Sequence, residues 1–185
     1  MQHRGISTES ITASAIAITK QDGLASLTMP KIAKALGIKS QSLYNHVSNL
    51  NEVKTNMSIA LFSALKTRLL EDLVGLTGKA AIKAYFTIFY AFCLEYKQFY
   101  EIFFLPGKEN SDKLDQSFHA VIQILHQLLA GMIADSEQIQ LYKRTLLSAF
   151  VGFVLNDRNH FFQDGKTQGK EALDDILNLV IQGIK

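Results

Sequence analysis

The 185 residues suffice for one domain, or for two small ones sharing a core. A 48% hydrophobic and 19% charged composition excludes a disordered chain, and 2 Pro and 11 Gly exclude a collagen-like or Pro-rich one. Net charge is only +2, but the first fifty residues set Arg4, Lys20, Lys31, Lys34 and Lys39 against Glu9 and Asp22, so the front is the basic part.

Taken in order, the chain reads as helix throughout. No run alternates apolar and polar residues with period two, and no Asn-Gly or Asp-Gly hairpin signal is present. The segment Met1–Glu9 lacks the apolar stretch of a secretory signal. A first helix is predicted from about Ser7 to Gln21, with Ile11, Ala15 and Ile18 forming an apolar stripe and Asp22-Gly23 as its stop. Thr28 is a natural N-cap for a second, short helix, with Pro30 in its first turn and Gly37 at its end. A third runs from near Ser40 to near Val47. Asn49 and Glu52 form a capping-box-like start for a long fourth helix, which carries on past Leu70.

After a break at Val74–Gly78, further helices are predicted over 79–96, 97–104, 114–134, 136–162 and 170–184, with loops at 108–113 and 164–169. The most apolar stretch, Ala80–Leu94, is interrupted by Lys83 and Thr87 and falls short of the ~20 apolar residues of a membrane span. A soluble, cytoplasmic chain with no membrane partner is expected. A single Cys excludes an intramolecular disulfide and a multi-Cys zinc site. His119 and His126 lie seven apart with no further ligand at matching spacing, so no metal is expected.

The informative stretch is Leu27–Val53: helix, turn at Gly37-Ile38-Lys39, short helix. This is a helix-turn-helix, whose second helix can enter a major groove. Its exposed face carries Ser40, Gln41, Ser42, Tyr44, Asn45 and His46. Gln and Asn pair bidentately with adenine edges, and Ser bonds either base type. Tyr44 and His46 suit phosphate oxygens. The bland alternatives are a solvated polar helix, partial packing of Tyr44 and a core contact for His46.

The motifs Ala33-x-x-Leu36-Gly37-Ile38 and Leu43-Tyr44-x-His46-Val47, with Asp22-Gly23 and Leu27-Thr28 before them, resemble the DNA-binding domain of the TetR family of transcriptional regulators. The match spans about residues 7–55. Weaker likeness continues through Ala84–Phe104 and Leu146–Val154, although Val151 stands where a His commonly precedes the Gly, and Trp is absent. The resemblance implies an all-α fold, with an N-terminal three-helix DNA-binding domain (1–48) and a helical ligand-binding and dimerisation domain (49–185). It implies phosphate contact by Thr28, base reading by Gln41, Ser42 and Asn45, and phosphate contact by Tyr44 and His46. Leu50 replaces a Lys frequent in the family, and Lys39 and Lys31 are expected to compensate.

The back half is aromatic-rich. Most of these side chains read as core, and Phe62, Phe86, Tyr90, Cys93, Phe103, Phe118 and Ile122 are the candidates for lining a pocket for an apolar or aromatic, uncharged small-molecule effector. No other cofactor is expected. Leu141 and Leu146, with Phe150, Phe153, Val154, Leu173, Ile176, Leu177, Val180 and Ile181, exceed what one small body must bury, and predict a homodimer through a four-helix bundle. Its partner would be double-stranded DNA with a near-palindromic operator. No Gly-rich phosphate loop, nucleophile elbow or His-Glu-x-x-His points to an enzyme. The alternative is a helical dimeric protein-interaction module, or a regulator that binds no specific operator.

Overall fold

The computed structural model describes residues 6–104, 112–161 and 167–184. Nine α-helices and no strand occur among the described residues: α1 (Thr8–Asp22), α2 (Met29–Leu36), α3 (Ser40–Leu43), α4 (Leu50–Asp72), α5 (Gly78–Glu95), α6 (Tyr100–Phe104), α7 (Asp112–Ala130), α8 (Ser136–Arg158) and α9 (Gly169–Ile181). Short 3₁₀ turns cover Leu24–Ser26 and Lys97–Phe99. The expected all-α class is what is found.

Local chemistry sets the helix ends. The hydroxyl of Ser7 accepts the backbone N–H of Ser10, whose hydroxyl in turn accepts the N–H of Ser7, which closes a capping box on α1. Gly23, at φ 83°, ends this helix, and its N–H donates to the Thr19 carbonyl. The Thr28 hydroxyl caps α2 by accepting the Lys31 N–H, and Gly37 closes it in the left-handed conformation (φ 68°, ψ 31°). At α4, Asn49 Oδ1 accepts the Glu52 N–H while the Glu52 carboxylate accepts the Ser48 N–H. The reciprocal pair exists as expected, with Glu52 reaching one residue further back.

Some expectations shift. In α1 the inward row is Ile11, Thr12, Ala15 and Thr19, and Ile18 is only half-buried. The third helix is one turn long, and Tyr44–His46 continue as a hydrogen-bonded turn in which the Val47 and His46 N–H groups both return to the Leu43 carbonyl. Lys39 is its N-cap, without a side-chain bond. Helix α7 begins at Asp112, before the expected Leu114, and α8 stops at Arg158 with His160 at φ 55°. The turn at Pro106-Gly107 and most of the loops expected over 108–113 and 164–169 lie outside the described residues.

Two compact units emerge. The first comprises residues 1–64 and 95–118; the second comprises 65–94 and 119–185. Helix α4 contributes Leu50–Ala64 to the first and Leu65–Asp72 to the second. In the first unit α1 packs on α2, α2 on α3, and α1 also meets the Lys97–Phe99 turn. Lys20 lies 3.4 Å from the Glu95 carboxylate and 4.7 Å above the Tyr96 ring. Phe62 packs edge-on against Phe103 at 5.7 Å and Phe118 at 5.5 Å. In the second unit Phe150 of α8 is wedged between Phe86 (5.2 Å) and Phe89 (4.9 Å) of α5, and α9 packs on α8.

Candidate nucleic-acid interface and sensor interior

The helix-turn-helix is built by apolar residues on one side only. Ile32 and Ala33 of α2 and Leu43 and Val47 of the third-helix region are buried. The small Ala33 permits close approach, and the Ala33 carbonyl accepts the Ile38 N–H, which tightens the turn. What remains outside is polar. Gln41, Tyr44, Asn45 and His46 are exposed, and Ser40 and Ser42 are half-buried. Tyr44 is 55% exposed, so it is not packed between helices, and His46 is no core contact. The Thr8 hydroxyl donates to the His46 carbonyl at 3.5 Å, which ties this turn to the start of α1. Thr28 stands at the N-terminus of α2, where backbone N–H groups and the helix dipole favour an anion. Among the described residues, Lys34, Lys39 and Lys54 make no ion pair, whereas Lys31 holds Asp22 at 3.0 Å. Lys31, expected to help contact phosphate, thus has a carboxylate partner that spacing alone did not point to.

The residues expected to line a pocket divide between the units. Phe62, Phe103 and Phe118 belong to the first, and Phe86, Tyr90, Cys93 and Ile122 to the second. Phe62, Phe86, Tyr90, Cys93 and Phe103 are buried, Ile122 is half-buried and Phe118 is 40% exposed. The Tyr90 hydroxyl donates to the Asp157 carboxylate at 2.7 Å, and its ring meets Phe153 at 5.6 Å. Sequence reasoning missed Asp157, which lies 67 residues away with no periodic signal. A Cβ at Gly169, where φ is 56°, would stand 3.6 Å from the same hydroxyl. An open groove of about 350 Å³ is lined by Ser136, Glu137, Gln140, Leu141 and Arg144 of α8, none of them a residue expected to line a pocket.

Burial in an apolar setting pushes the Cys93 thiol up to about 12, so it stays protonated and inert. Burial also raises Tyr85, and burial with the Asp157 carboxylate raises Tyr90. All three folded values exceed their unfolded ones, so the stability they contribute is complete below about pH 9 and is lost as the pH climbs past it. A falling thermal midpoint above about pH 9, with Cys93 alkylated by iodoacetamide only as the chain unfolds, is the expected result. Fast alkylation of the folded protein at about pH 8 would contradict it.

The residues expected at a dimer surface differ in how far a single chain already covers them. Phe150, Phe153, Val154, Leu173, Leu177 and Ile181 are buried within one chain, because α8 and α9 cover each other and α8 also meets the α5 rings. Ile176 and Val180 remain half-buried. The apolar groups facing out of the same pair of helices are Leu141 (62% exposed) and Leu179 (79%).

Among the described residues, no helix is long and apolar enough to cross a membrane, and no group of three His, Cys, Asp or Glu could hold a metal ion. No protein-family model matches the chain, and no curated protein matches it by sequence. Solved structures do match over its whole length. The fatty acid degradation regulator FadR of Bacillus halodurans superposes with TM-score 0.74 at 15% identity, covering 100% of this chain and 99% of its own. The transcriptional regulator FadR of Bacillus subtilis, in complex with stearoyl-CoA, gives 0.70 at 16% (96% and 99% covered). The TetR-family transcriptional regulator PfmR of Thermus thermophilus gives 0.64 at 18% (95% and 98%).

The chain has the fold of the TetR-family regulators. Within the TetR fold, α2 and the third-helix turn are the helix-turn-helix, and α4 is the helix that enters both compact units.

Proposed function

We propose that the protein is a non-enzymatic, ligand-responsive transcriptional regulator that binds double-stranded DNA as a homodimer, acting as a repressor released by an apolar or aromatic effector. The observation carrying this reading is the exposed Gln41–Tyr44–Asn45–His46 face on an otherwise tightly packed helix-turn-helix. Gln41, Ser42 and Asn45 read base edges, while Thr28, Lys39, Ser40, Tyr44 and His46 hold phosphates. Residues 1–48 form the DNA-contacting part and 49–185 the sensing and dimerising part. The likeness to a regulator in complex with stearoyl-CoA favours an effector with a long apolar portion, received by the aromatic interior of the second part. The effector prefers an α4 arrangement that mis-spaces the two recognition turns, and so lowers operator affinity. Selecting genomic fragments with the purified protein tests the reading. Recovery of near-palindromic sites supports it; recovery of random fragments alone overturns it in favour of a helical interaction module.

The dimer would form through the outward side of α8 and α9, around Leu141, Ile176, Leu179 and Val180. Leu179→Glu should convert the dimer to a folded monomer in sedimentation analysis, with an unchanged helical spectrum. A dimer that persists at micromolar concentration would place the interface elsewhere.

A further inference from the structure

We propose that Asp22 is a built-in charge brake on DNA binding: it holds the Lys31 ammonium away from phosphate and so lowers the sequence-independent part of the affinity. The inference rests on the DNA-binding reading above. Asp22 is the last residue of α1, fixed there by the Gly23 cap, and Lys31 lies in the first turn of α2, fixed by its N–H bond to the Thr28 hydroxyl. The pair closes at 3.0 Å across the α1–α2 junction, and both side chains remain about two-fifths exposed. It therefore stands in the very turn that carries the Thr28 phosphate contact, and it is open to solvent and polyanion alike.

The charge inventory singles this pair out. Lys34, Lys39 and Lys54 make no ion pair among the described residues, and Lys20 is engaged away from α2 by Glu95 and Tyr96. Lys31 is thus the basic group of the α2 turn that its own chain neutralises. A lysine already matched by a carboxylate neutralises little phosphate charge and so releases few of the cations condensed on the duplex, while the carboxylate repels phosphates within a Debye length of about 8 Å. Removing the carboxylate returns one free ammonium per protomer. Asp22 also sits at a helix C-terminus, where a negative charge opposes the helix dipole, so neutralising it does not threaten the fold.

The test uses the full-length protein and a random-sequence duplex of about 30 base pairs, with affinity measured from about 50 to 200 mM KCl. Asp22→Asn and Asp22→Ser should both steepen the log–log salt dependence by about 0.9 per protomer and raise affinity on the order of tenfold. Lys31→Met in the Asp22→Asn background should cancel the gain, while Lys31→Met alone, which leaves the Asp22 carboxylate unmatched, should lower affinity below that of the wild type. An unchanged slope in both Asp22 variants, or a gain that survives Lys31→Met in the Asp22→Asn background, overturns the proposal while leaving the regulator reading intact. A wild-type protein that binds no duplex at any salt overturns both.

Discussion

Replacing Tyr44 and Asn45 together with Ala should lower affinity for a selected site by about 2–4 kcal/mol per half-site. A bidentate Asn–adenine pair contributes about 1–3 kcal/mol of discrimination. A phosphate hydrogen bond adds about 0.5–1.5 kcal/mol net. Both side chains are exposed, so the fold should lose no more than about 0.5 kcal/mol. Anisotropy titration of a labelled duplex beside a thermal melt measures both effects. Retained affinity would mean that this face is only a solvated turn.

Phe150→Ala should have the opposite profile. Its ring is fully buried between Phe86 and Phe89, and truncating such a ring costs about 3–5 kcal/mol through lost contacts and the cavity left behind. For a chain of this size each kcal/mol moves the thermal midpoint by about 2–4 °C, so a drop of about 6–20 °C is expected. Loss of the dimer with less than about 1 kcal/mol of destabilisation would return Phe150 to an interface. Set beside Leu179→Glu, the two substitutions separate what holds one chain together from what would hold two.

The front of the molecule was legible because its signals are local. Thr28, Gly37 and the Asn49–Glu52 pair act within a few residues of themselves, and each works close to where its type and spacing predicted. Periodicity was less exact than capping. It chose Ile18 for the α1 stripe, where the fold buries Thr19, hydroxyl included, and leaves Ile18 half-buried. In the back half periodicity identifies an apolar face but not which surface covers it. Phe150, Phe153 and Leu173 read as surplus for a dimer, and α5, α8 and α9 consume them within one chain. The pairs Asp22–Lys31 and Tyr90–Asp157 carry no spacing signal at all, since each depends on how separate helices meet.

Sequence-specific DNA binding is the central claim, and one ratio tests it most directly. The affinity of the purified wild-type protein for a selected site is compared with that for a scrambled duplex of equal length and composition, at about 0.15 M salt. The account predicts at least ~10³-fold tighter binding to the selected site. Equal affinity for the two duplexes would contradict it.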